Sequence, residues 1–175
     1  MGIKISNRAK RMTPSATIAL FLRAKKMMAE GIDIVNFGVG EPDFHTPDVI
    51  KEAGKKAIDN NFTKYIVTSG IPELKSAIKK KLFRDNGLKY SDEEIVVTPG
   101  AKAAIAETLA VVCDPGDRVI IPAPYWVSYP SQVEMMGGQP HIVKTKKEKA
   151  YKITAELIKD VASQYDDISA IILNS

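Results

Sequence analysis

The chain has 175 residues, 45% of them hydrophobic and 26% charged, the composition of an ordinary globular domain rather than of a disordered or fibrous segment. Its 25 basic and 21 acidic side chains leave +4, and the densest positive runs, Lys79-Lys80-Lys81 and Lys144-Thr145-Lys146-Lys147, have no interleaved aromatics, which argues against a nucleic-acid surface. The single cysteine, Cys113, excludes an internal disulfide framework and suits the cytoplasm, and His45 and His141 lie far apart with no Cys/His cluster to hold a metal.

No apolar run reaches the roughly 18 residues of a membrane span. The stretch "SATIALFL" is short and lacks a cleavage site, so it reads as helix rather than signal peptide. Residues 15 to 30 are predicted to be helical, with Ser15 as cap and Gly31 past the end. An extended piece, "DIVNFGVG", follows. Thr46-Pro47 is expected to open a second helix, Thr46 capping and Pro47 at the first helical position. Its apolar stripe is Val49, Ile50, Ala53, Ala57 and Ile58. Pro72 opens a third helix, with Leu74, Ile78 and Leu82 at i+4 spacing and Gly87 as its stop.

From residue 94 the pattern changes. "EIVVT" (94 to 98) reads as a strand, residues 101 to 113 as an alanine-rich helix, and "DPGD" as a turn. A strand "RVIIPAP" comes next, then a helix over 126 to 136 ended by Gly137-Gly138. "PHIVKT" is a strand, "TAELIKDVASQY" a helix capped by Thr154, and "SAIIL" a final strand. Strands alternating with helices, apolar on both faces, imply an α/β fold with parallel pairing. Open α/β sheets bind ligands beyond the carboxyl ends of their strands. The sequence stops there, at Asn174-Ser175, so an amino-terminal part of a longer protein is expected.

Thr98-Pro99-Gly100-Ala101-Lys102 carries the predicted strand into the predicted helix. Free backbone N–H groups and the positive end of the helix dipole would hold an anion there, and a plain strand-to-helix turn would need its glycine equally. Neither the Walker spacing nor a dinucleotide-binding fingerprint is present.

Three further stretches, "NFGVGEPDFHTP" (36 to 47), "TKYIVTSGIPELKSAI" (63 to 78) and "PAPYWVSYPSQVEMMGG" (122 to 138), give the chain its resemblance. With "RMTPSATIALFLRAKKM" (11 to 27) they resemble the class I aminotransferases, which use pyridoxal phosphate, most closely the prokaryotic-type aspartate aminotransferase subgroup. The resemblance runs in order over nearly the whole chain. It implies part of a fold type I pyridoxal-phosphate-dependent transferase, with a partial mixed, mostly parallel sheet and flanking helices after an amino-terminal helical segment. Residues 1–46 would be the amino-terminal arm and small-domain segment, and 47–175 the amino-terminal part of the cofactor-binding large domain.

The resemblance also implies roles. Gly100, Ala101 and Lys102 would hold the cofactor phosphate, Ala101 standing where the family often has a second glycine. Trp126 would stack on the pyridine ring, and the Tyr65 hydroxyl would reach the phosphate of the other subunit in a homodimer. Gly40 would offer its N–H to the substrate α-carboxylate, and Thr17 would line the side-chain pocket. Read without the resemblance, Trp126 is equally a core tryptophan, Tyr65 a packed surface aromatic and Gly40 a turn glycine. Glu41 and Asp43 read as loop residues satisfying nearby backbone rather than as a catalytic pair. No catalytic residue is expected within the chain: the Schiff-base lysine, the acid at the pyridine nitrogen and the substrate arginine all fall beyond Ser175 in the family. The chain by itself is therefore expected to be inactive. It would belong to an enzyme that moves an amino group between an amino acid, aspartate by subgroup, and a 2-oxo acid. A lyase or synthase using the same cofactor, or a noncatalytic binding protein that kept the fold, are the alternatives. The family's sheet has seven strands, with 95 to 98 at one side and 118 to 122, 140 to 143 and 170 to 173 together at the other.

Overall fold

The computed structural model describes residues 3–12, 16–35, 37–38 and 40–174. They gather into two compact units, one of Met1–Val39 with Lys102–Ser175 and one of Gly40–Ala101. The first unit holds α1 (Asn7–Arg11), α2 (Ala16–Ala29), α5 (Ala101–Val112) from its second residue onward, β1 (Arg118–Ala123), α6 (Tyr129–Met135), β2 (Gln139–Lys144), α7 (Ala155–Ala162) and β3 (Ile168–Ile171). The second unit holds α3 (Asp48–Asp59) and α4 (Pro72–Asn86).

The first unit is organised by β1. The sheet order is β2-β1-β3, and β1 pairs in parallel with both neighbours. Alternate β1 residues point to opposite faces. Val119 and Ile121 pack with Leu109, Cys113 and Val133, so that face is covered by α5 and α6. Ile120 packs with Val143 and Val161, so the other face is covered by α7. A strand buried on both sides cannot alternate apolar with polar, which is why "VII" is continuous. At the start of the sheet the Arg118 guanidinium makes two hydrogen bonds to the Asp167 carboxylate, at 3.0 and 3.1 Å, and lies 3.8 Å over the Tyr165 ring. Two predicted helix ends are in place: Thr154 caps the start of α7, accepting from the Leu157 N–H at 3.3 Å, and Gly137 follows α6 at φ +95°. Ser15 lies outside the described residues.

In the second unit α4 matches its prediction. Pro72 occupies the first turn, and Gly87 caps the helix in the left-handed conformation at φ 69°. The start of α3 differs from expectation. Pro47 is the N-cap itself, its carbonyl accepting from the N–H groups of Ile50 and Lys51, and no side chain caps the helix. Proline has no side-chain oxygen to offer, and its fixed φ suits that position as well as the next one. The α3 stripe exists, but no residue of α3 is buried.

Residues 94–98 form no strand. Residue 94 closes a turn and 95–98 have no regular structure; the Val97 N–H donates to the Ser69 carbonyl at 3.0 Å and the Ile95 N–H to the Asp92 carbonyl at 3.4 Å. A β-branched run supplies strand propensity, but a ladder needs an adjacent strand, and none among the described residues lies beside it. What holds the segment is a buried charge that periodicity overlooked. Lys75 is the buried residue of α4, and its ammonium donates to Ser69 Oγ at 2.6 Å and to the Asp92 carbonyl at 2.8 Å. The Asp92 carboxylate accepts from Lys79 at 2.6 Å, and this hydrogen bond holds its pKa below the usual aspartate value. Gly70, at φ +110°, sits so close that a Cβ would stand 2.6 Å from Val97 Cγ2. No other residue fits there.

Because Ile121 is fully buried at the centre of the sheet, Ile121→Ala is expected to destabilise the fold by about 2–5 kcal/mol. Val111→Ala, on the exposed side of α5, should stay within about 0.5 kcal/mol. Urea denaturation of the two variants measures the contrast, and equal effects would contradict a core centred on β1.

Candidate functional site

Helix α5 begins at Ala101, directly after the Thr98-Pro99-Gly100 turn. Gly100 has φ +92°, and a Cβ built on it would meet nothing within 4 Å. The glycine is therefore required by backbone conformation rather than by crowding. Two local bonds shape the turn: the Gly100 N–H donates to the Thr98 carbonyl at 2.8 Å, and Thr98 Oγ1 donates to the Gly100 carbonyl at 3.2 Å.

This divides the predicted phosphate donors. The Gly100 N–H is already engaged, so the glycine shapes the turn rather than donating from it. Among the described residues, no hydrogen bond engages the N–H groups of Ala101, Lys102 and Ala103. They are the unpaired donors that every helix start presents, and the dipole adds partial positive charge. A phosphate monoester, carrying about −1.5 to −2 charge at neutral pH, matches that donor set. Ala101 in place of glycine leaves this donor set intact, because the backbone N–H is the same for either residue.

Trp126 lies in the connection from β1 to α6, past the carboxyl end of the central strand. It is 52% exposed, which removes the reading of a core tryptophan. Its neighbours Tyr125 and Tyr129 turn inward onto the Leu109–Val133 cluster instead. The Trp126 carbonyl accepts from the Tyr129 N–H at 3.0 Å, fixing the turn into α6. From α6, Gln132 Nε2 donates to the Lys102 carbonyl at 2.7 Å. The helix behind the Trp126 loop is thus bonded to the first turn of α5. Sequence reasoning passed over Gln132, whose only signal was a polar residue on the inward side of a short helix.

In the second unit Tyr65 lies between α3 and α4 at 107% exposure, so it is not a packed aromatic. Gly40 is exposed, with nothing within 4 Å of a built Cβ and no positive φ. Its backbone would accept any residue, so a need for glycine would have to come from a ligand. Glu41 and Asp43 are exposed and form no hydrogen bond or ion pair among the described residues, against the expectation that they satisfy nearby backbone. Thr17 lies half-buried in α2. Among the described residues there is no grouping of His, Cys, Asp and Glu suited to a metal, and no helix is long and apolar enough to cross a membrane.

Comparison with known proteins bears on residues 32–175, which match the family model described as "Aminotransferase class I and II". An aspartate aminotransferase of Bacillus sp. (strain YM-2) is 46% identical over 171 residues, covering 98% of this chain and 43% of that protein. A probable aspartate/prephenate aminotransferase of Aquifex aeolicus is 42% identical, with 98% and 43% covered. The solved structure of Thermus thermophilus aspartate aminotransferase with maleate superposes with a TM-score of 0.93 at 38% identity, over 99% of this chain and 45% of that one. That of Rhizobium meliloti aspartate aminotransferase gives 0.91 at 37%, over 99% and 43%. The chain thus spans less than half the length of the relatives it matches.

The two glycines give opposite expectations. Gly100→Ala forces a side chain into positive φ and should destabilise by about 1–3 kcal/mol. Gly40→Ala has room and an ordinary φ, and should change stability by less than about 0.5 kcal/mol. Thermal denaturation of both variants tests this, and a destabilised Gly40→Ala would give that glycine a structural rather than a ligand-facing role.

Proposed function

The chain belongs to the class I and II aminotransferase family, and on that premise we propose that the protein it forms moves an amino group between aspartate and a 2-oxo acid, with pyridoxal phosphate as cofactor. The observation that carries the reading is the start of α5, where the family motif coincides with unengaged N–H groups at a helix terminus. The substrate follows from relatives whose names specify aspartate. On this reading residues 1–46 serve as amino-terminal arm and small-domain segment, and 47–175 as part of the large domain of a cytoplasmic homodimer.

When bound, the cofactor supplies the electron sink that labilises bonds at the substrate α-carbon. The chain's own residues bind and orient. Ala101 and Lys102 donate N–H groups to the phosphate while Gly100 shapes the turn that exposes them. Trp126 offers an indole face to the pyridine ring, a contact worth about 0.5–1.5 kcal/mol beyond burial. Tyr65 donates its hydroxyl to the phosphate held by the other subunit, a role that suits a tyrosine fully exposed in this chain. Gly40 donates its N–H to the substrate α-carboxylate, where a Cβ would obstruct the approach. Thr17 lines the substrate side-chain pocket. No lysine of this chain is assigned as the cofactor's carrier.

The test is an aspartate/2-oxoglutarate transamination assay with added pyridoxal phosphate. The longer polypeptide that carries this chain should turn over, and the 175-residue chain alone should not. Turnover by the short chain would place the carrier lysine within it and overturn the assignment. In the active protein, Tyr65→Phe removes one charge-assisted hydrogen bond and should weaken cofactor retention about 10- to 100-fold without unfolding the protein. Unchanged retention would remove Tyr65 from the site.

A further inference from the structure

Gln132 is only 8% exposed, and its amide is half satisfied. Nε2 donates to the Lys102 carbonyl at 2.7 Å, while Oε1 is buried and has no donor among the described residues. Lys102 sets the orientation of the amide, since the flipped form would turn one carbonyl oxygen toward another. As a stability device the arrangement is poor. It forms one bond and strands one acceptor, where an apolar side chain of similar length would fill the space and strand nothing.

What the bond does instead is hold a peptide plane. The Lys102 carbonyl and the Ala103 N–H belong to the same rigid unit. A donor resting on that carbonyl fixes the tilt of the N–H at the other end and polarises it as a donor. That N–H is one of the unengaged groups in the first turn of α5. At the other end of the contact, α6 begins directly after the loop that carries Trp126. One side-chain amide therefore ties the phosphate donors of α5 to the helix behind the ring-stacking loop.

We infer that Gln132 is a positioning residue: it holds the first turn of α5 in the orientation that presents its N–H groups to a phosphate, and it sets that turn against α6. The inference rests on the cofactor reading above and deepens it.

The protein carrying this chain, as wild type and as Gln132→Met, is equilibrated with pyridoxal phosphate and separately with pyridoxal, which lacks the phosphate. Equilibrium dialysis gives both dissociation constants, and thermal denaturation of the ligand-free protein gives Tm. Wild type should prefer the phosphorylated form. In Gln132→Met that preference should shrink roughly three- to tenfold, the worth of one hydrogen bond, with pyridoxal affinity unchanged and Tm equal or higher. An unchanged preference overturns the inference. So does a lowered Tm with parallel loss of both ligands, which would mark Gln132 as a packing residue. A wild type that shows no preference for the phosphorylated form refutes the cofactor reading itself, and the inference falls with it.

Discussion

The first unit depends on one strand being buried on both faces. Val119 and Ile121 face α5 and α6, and Ile120 faces α7, so a three-residue apolar run fixes which helices lie on which side of the sheet. Parallel pairing on both edges of β1 then sends the chain out of the sheet at Ala123, toward the loop of Trp126. The Thr145 hydroxyl donates to the Ala123 carbonyl and holds that exit against the end of β2. The position of the aromatic residue thus follows from the packing of the strand that leads into its loop. Open parallel sheets bind their ligands beyond the carboxyl ends of their strands, and the proposed site follows that rule.

The second unit is held differently. Its centre is the buried ammonium of Lys75, which joins the Ser69 turn to the Asp92 backbone. A lysine with its charge buried is stable only because hydrogen-bond acceptors meet it there. The bond from Val97 to Ser69 and the close approach of Gly70 to Val97 extend the same junction toward Thr98. The loop after Tyr65 and the segment before Gly100 therefore share one fastening, and polar contacts provide it where the first unit relies on an apolar core.

Much of this was legible in the residues. Pro72, Gly87, Thr154 and Gly137 mark element ends because their backbone chemistry permits little else, and the continuous "VII" marks a strand covered on both sides. The helix start at Ala101 was legible for the same reason: a glycine at positive φ between an apolar run and an alanine-rich one. Periodicity failed where the partner of a segment decides its structure. "EIVVT" has the composition of a strand but forms no ladder. Lys75 and Gln132 were invisible because a sequence pattern assigns polar residues to the surface, and both are buried by acceptors that only the fold brings to them. Of the candidate site residues, Trp126 and Tyr65 are exposed in the fold and their proposed roles come from family resemblance, while Gly40 carries no structural demand that would have revealed it.

On the proposed function, the first turn of α5 receives the cofactor phosphate. A crystal structure of the protein carrying this chain, grown with pyridoxal phosphate, tests it most directly. Phosphate oxygens are expected within hydrogen-bond distance of the Ala101 and Lys102 N–H groups, with the Gly100 N–H still bonded to Thr98. A phosphate bound elsewhere, or those two N–H groups turned to protein acceptors, would contradict it.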